Sequence, residues 1–265
     1  MVSHYLRRLT GDQRDPRADE HLGLSLAFIA GAVNAGGFLA VGQYTSHMTG
    51  VVSILADASA LGDWAAATAA LLALLAFLAG AATTAILINW ARRRKLRSYY
   101  ALSLLLEAVL LILFGIFGAY LAGLHEAFIP VTVLLLCYIM GLQNAIITKI
   151  SNAIIRTTHV TGLATDIGIE LGKLFYYNRK RTPAPAVLAN RAKLKLHLGL
   201  LGCFCIGGIL GALGFKHIGF SATLPLALGL IVLAGLPVYE DAVLHFRLRK
   251  ETRERKTAPI ATDDE

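Results

Sequence analysis

A chain of 265 residues that is 56% hydrophobic and only 16% charged, with a mean hydropathy of +0.61, is too apolar for an ordinary soluble domain. It reads as an all-α polytopic membrane protein, with the lipid bilayer as its first partner. The net charge of +8 does not mark a nucleic-acid binder, because Lys and Arg sit at the edges of apolar segments, the pattern of the positive-inside rule.

The first 19 residues are polar and mixed in charge, without the short apolar core of a secretory signal, and read as a cytoplasmic tail. An apolar segment from Leu22 to about Val41 follows, interrupted by Gly31, Asn34, Gly36 and Gly37, which allow close helix approach and locally weaken a helix. Val51 to Leu61 is apolar but too short to span a hydrocarbon core of about 30 Å, so it is predicted as a half-helix or re-entrant segment. The second span runs from Trp64 to Trp90, with a tryptophan at each interface, and stops at Arg92-Arg93-Arg94-Lys95. Tyr99 to about Gly123 and about Phe128 to Thr148 form spans three and four. Leu163 to Tyr177 carries Asp166, Glu170 and Lys173 and is not expected to cross lipid. A basic, proline-containing loop precedes spans five (about Leu196 to Phe215) and six (about Gly219 to Tyr239), and the tail from 247 to 265 is charged. Cys137, Cys203 and Cys205 lie in apolar runs as packing residues, and Cys203-x-Cys205 has neither zinc nor redox spacing. No metal or cofactor is expected.

No Lys or Arg occurs between Arg17 and Arg92, or between Arg97 and Lys149. The connections at Asp57–Asp63 and at Leu124–Glu126 are therefore predicted to be external, with the basic loops and both termini cytoplasmic. Three spans and one short segment then occur twice, in halves of 20–123 and 126–240, and the odd number of spans between the copies inverts one half relative to the other.

An echo in the sequence matches this division. Thr45-Ser46-His47-Met48-Thr49-Gly50 returns as Thr157-Thr158-His159-Val160-Thr161-Gly162, and Gly31-x-x-Asn34-Ala35 returns as Gly141-x-x-Asn144-Ala145. Polar groups set in apolar sequence must find hydrogen-bond partners or a polar cavity, and matched placement in two halves is the mark of a site at a repeat interface. Asn34, Ser46, His47, Thr49, Gly50, Gln143, Asn144, Thr158, His159, Thr161 and Gly162 are accordingly the candidate substrate-binding residues. In each copy the motif precedes a short helix whose positive N-terminal end favours an anion or a carbonyl group. The alternative is structural: hydroxyls that cap a helix, histidines that satisfy buried carbonyls, and amides that join helices. Asp57, Glu107 and Asp166 are candidates for proton coupling, Glu107 because an ionisable group inside a span is costly.

The same residues carry a family likeness. Ala30-Gly31-x-x-Asn34-Ala35, Ser46-His47-Met48-Thr49-Gly50, Met140-Gly141-Leu142-Gln143-Asn144-Ala145 and Arg156-Thr157-Thr158-x-Val160-Thr161-Gly162-x-x-Thr165-Asp166 resemble the signature of the YoaK-like bacterial inner-membrane proteins, the DUF1275 family. The chain departs from that signature at Val51, where members typically carry Asn, and at His159, where an aromatic is frequent. The resemblance implies a six-span inner-membrane protein and carries no established activity. From the residues, the expected function is a transporter or channel for a small polar or anionic solute bound between the two motifs. A membrane-embedded enzyme acting on a lipid-linked substrate and a structural protein without a ligand are the alternatives. A homo-oligomer is compatible with all three.

Overall fold

Asp63 and Gly62 show how the apolar runs are cut into helices. Gly62 takes the left-handed conformation (φ 75°) that ends one helix, and the Asp63 carboxylate then accepts from the Ala66 N–H at 3.1 Å to begin the next. Asn190 caps a later helix in the same way, accepting from the Lys193 N–H at 3.0 Å. A computed structural model describes residues 16–94, 96, 99–121, 125–150, 160–178, 186–235, 238, 239 and 243. Its helices are α1 (Pro16–Val41), α2 (Met48–Leu61), α3 (Trp64–Arg93), α4 (Ala101–Leu121), α5 (His125–Ile150), α6 (Val160–Phe175) and α7 (Arg191–Ile218). A 3₁₀ turn at Gly219–Ala222 leads into α8, residues 223–235, and no strand occurs among the described residues. Thr157, Thr158, His159, most of the basic loop after α6 and both chain ends lie outside the described residues.

Among the described residues, five stretches are long and apolar enough to cross a bilayer: Asp19–Leu39, Trp64–Arg93, Ala101–Gly118, Ile129–Lys149 and Arg191–Gly235. The last is 45 residues long and contains α7, the turn and α8. The chain is thus a helical protein of the multi-pass membrane kind. The two short helices fall below spanning length. The 14 residues of α2 and the 16 of α6 reach only about 21 and 24 Å at the helical rise.

The helices are joined by glycines that let backbones touch. An aromatic-x-x-Gly sequence occurs on four of them: Phe28 and Gly31 on α1, Phe77 and Gly80 on α3, Tyr138 and Gly141 on α5, Phe204 and Gly207 on α7. A Cβ on Gly31 would collide with the Phe204 carbonyl, and one on Gly207 with the Phe28 carbonyl. Gly80 and Gly141 stand in the same reciprocal relation to the Tyr138 and Phe77 carbonyls. All four contacts cross between the two sequence halves. In lipid, where apolar burial gives helices little reason to associate, such close approach supplies the dispersion contact that holds them.

The same contacts give the helix directions. Leu24 meets Gly199 and Gly36 meets Phe215, so α1 and α7 run parallel; Phe77 meets Gly141 and Thr84 donates to the Leu142 carbonyl at 3.1 Å, so α3 and α5 do too. Helix α1 runs against α5, because Gln143 Nε2 donates to the Leu26 carbonyl at 3.3 Å while Gly37 lies on Leu136. At one end Arg92 donates to the Tyr100 hydroxyl (3.1 Å), which donates to the Lys149 carbonyl (3.4 Å), so the basic ends of α3 and α5 meet at one level.

The glycines of α1 were expected to loosen it, and they do not. The helix is continuous through Gly31, Asn34, Gly36 and Gly37 to Val41, because the packing that glycine permits outweighs its poor helix propensity. The reversal comes one residue later at Gly42, with φ 70° and its N–H bonded to the Phe38 carbonyl at 2.7 Å.

Candidate functional site

After Gly42 the chain folds back down along α1. Tyr44 stacks on Phe38 with ring centroids 4.5 Å apart, and Ser46 arrives beside Asn34, twelve residues earlier in sequence. Asn34 Oδ1 accepts from both the Ser46 N–H (3.3 Å) and the Ser46 hydroxyl (2.8 Å). A backbone N–H can only donate, so this pair fixes the amide orientation and leaves the Nδ2 hydrogens of Asn34 as what it can offer elsewhere.

His47 takes the N-cap position of α2, but no side chain caps the helix. Its ring lies across the first turn, over Gly50, where a Cβ would come within 2.7 Å of Nδ1. From there α2 runs outward against α3, with Val51, Ala70, Ala73 and Cys137 forming a small apolar core between them. Thr45 is buried, and its hydroxyl has no partner among the described residues.

These groups open onto a cavity of about 860 Å³. The first motif contributes Asn34, Ser46, His47 and Thr49; Asn144 and Thr161 come from the second. Phe77, Ala81 and Ala85 form one wall at successive turns of α3, and Phe204 of α7 contributes another. Thr148 and Lys149 line it on the last turn of α5. The cavity extends from the middle of α3 to the last turn of α5. Trp64 and Trp90 are both exposed, 26 residues or about 39 Å apart, and Phe77 stands midway between them. Phe77 and Phe204 are also the residues whose carbonyls receive Gly141 and Gly31, so the helix contacts and the cavity walls share residues.

A family model described as a protein of unknown function, DUF1275, matches residues 22–236. The chain belongs to the DUF1275 family. No curated protein and no solved structure matches it.

Not every expected residue of this DUF1275 chain reaches the cavity. Gln143 is wholly buried on the opposite side of α5, bonded to the Leu26 carbonyl, with Oε1 unpartnered among the described residues. It joins α5 to α1. Gly50 lies beneath His47, and Gly162 falls in the first turn of α6. Asp57 is exposed on α2. Glu107 on α4 is wholly buried, and neither carboxylate oxygen has a partner among the described residues. Asp166 faces α7 instead, 3.2 Å from Lys193 Nζ and 3.7 Å from Nδ1 of the buried His197. One turn further along α6, buried Glu170 accepts from Lys173 Nζ at 2.9 Å and from the Asn190 N–H at 2.7 Å. The Lys173 bond first, and the Asn190 N–H next, hold the Glu170 carboxyl below the usual glutamate range. Helix α6 therefore adds ion pairs to the apolar contacts of Leu163 and Ile167, where α2 is held by small apolar side chains.

Phe77, Phe204 and Lys149 were not expected in the site. The sequence does hold a signal for the two phenylalanines, since each begins an aromatic-x-x-Gly repeat.

Proposed function

We propose that this protein is a transporter or channel for a small polar or anionic solute, with the cavity between the two motif segments as its binding site. The observation that carries the reading is that Asn34, Ser46, His47 and Thr49 line one cavity together with Asn144 and Thr161, from the other half of the sequence. A structural role alone gives no reason for two polar motifs to converge on open space. Six spans in two inverted halves, both termini cytoplasmic, and a YoaK-like place in a bacterial inner membrane belong to the same proposal. The inversion is supported by the antiparallel course of α1 and α5 and by the basic-free stretches between Arg17 and Arg92 and between Arg97 and Lys149. Division of Arg191–Gly235 into two passes is supported by the turn at Gly219–Ala222.

Purified protein in proteoliposomes, screened for solute flux, tests the function. Flux without chemical conversion, lost on His47→Ala while the melting temperature is kept, is the expected result. Conversion of a lipid-linked compound, or no flux of any solute, contradicts it. Cysteines at Asp63, Glu126 and Pro183 test the topology in whole cells. An impermeant thiol reagent is expected to label the first two and spare the third.

A further inference from the structure

We infer that the cavity is built for an organic monoanion with an apolar body, of the aliphatic or aromatic carboxylate class; this rests on the reading of the cavity as a solute site. The charge balance of the lining comes first. Among the described residues Lys149, exposed on the last turn of α5, is its one fixed charge, and no aspartate or glutamate of theirs lines it. A ligand ammonium would find no carboxylate there. A ligand carboxylate would find Lys149, and a charge-assisted hydrogen bond is about twice as strong as a neutral one.

Asn34 has the same sense. Because Asn34 Oδ1 is occupied by Ser46, the free hydrogen-bonding capacity of Asn34 is donor only. Asn144 gives one Nδ2 hydrogen to the Met140 carbonyl, and Thr148, having given its hydroxyl hydrogen to the Asn144 carbonyl, is left an acceptor, so the donor sense rests on Asn34 and Lys149. The first turn of α2 carries no side-chain cap, so its N–H groups add to the positive end beside His47 and Thr49.

The walls set the rest of the ligand. Phe77 and Phe204 with Ala81, Ala85 and Ala145 give the cavity a largely apolar surface away from Lys149. A small hydrated inorganic anion would forfeit solvation against such walls without replacement, whereas an alkyl or aryl group buries apolar area there. Among the described residues one cation matches one negative charge, which disfavours dianions.

Three probes of nearly one shape separate the possibilities: benzoate, benzamide and benzylammonium, with butyrate to octanoate as the aliphatic series and sulfate as the inorganic control. Binding to the full chain in detergent is read by calorimetry and by thermal shift at pH 7.5. The expected result is binding of at least one carboxylate about tenfold or more tighter than its neutral amide, with no response to benzylammonium or sulfate. Lys149→Gln is expected to remove the preference for the carboxylate over its amide, and Lys149→Arg to keep it. Equal binding of benzoate and benzamide, tighter binding of benzylammonium or sulfate, or a carboxylate preference that survives Lys149→Gln overturns the monoanion inference while leaving a solute cavity. Absence of binding by every probe overturns both. The comparison among ligands on the unaltered protein decides the matter even where a Lys149 variant fails to fold.

Discussion

Gly50 and His47 show how a motif residue acts through its neighbour. The imidazole rests where a Gly50 side chain would stand, so Gly50→Ala is expected to push His47 off the first turn of α2. Solute flux should fall toward that of His47→Ala, while the melting temperature changes little because alanine favours the helix by up to about 1 kcal/mol. A Gly50→Ala protein with full flux would mean that the ring position is immaterial. At Glu170 the sensitive variable is pH. Its carboxyl is held below the ordinary value of 4.5 by Lys173 and the Asn190 N–H, so the stabilisation is complete above that value and is lost as pH falls through the lower, folded-state value. Thermal unfolding followed from about pH 6 down to about pH 3 should show an acid limb that Glu170→Gln flattens. His47, Thr49, Asn34 and Asn144 were legible in the sequence because they are polar in apolar surroundings and occur in matched copies. Phe77, Phe204 and Lys149 were not: in a helix apolar on every face, no contrast in polarity marks which phenylalanine borders a cavity, and a lysine at a helix end reads first as a topology signal.

Among the elements, the reciprocal glycine contacts set the frame. Because a Cβ on Gly207 or Gly141 would meet backbone, which cannot turn aside, either helix pair must separate to admit it. Gly207→Ala and Gly141→Ala are each expected to cost about 1–3 kcal/mol, read as a lowered melting temperature in detergent. Gly229, with nothing within 4 Å of its Cβ position, is the control, and Gly229→Ala should be neutral or stabilising. Long apolar runs, their approximate ends and the two short segments were legible from length and charge. The course of the chain into the first motif was not legible. Sequence alone suggested a weakened helix, whereas the chain turns back at Gly42 after an unbroken α1, since propensity cannot anticipate that Gly31 and Gly36 pack against Phe204 and Phe215.

For the molecule as a whole, what matters is that pairing crosses the sequence halves. Each half contributes one helix to each glycine-linked pair, α1 with α7 and α3 with α5, and the cavity lies where both pairs and both motifs converge. The echo of the two motifs pointed to a shared location, but the cross-pairing was invisible because the aromatic-x-x-Gly pattern recurs at unequal spacing and two of its copies lie outside the motifs. The central claim is that residues from both motifs act on one ligand. A double-mutant cycle on His47→Ala and Thr161→Ala, with solute affinity measured in detergent or flux in proteoliposomes, tests it most directly. Two residues on one site should lose clearly less together than the sum of their separate losses, with melting temperatures nearly unchanged. Losses that add to within about 0.3–0.5 kcal/mol would place the two residues at independent sites and contradict the account.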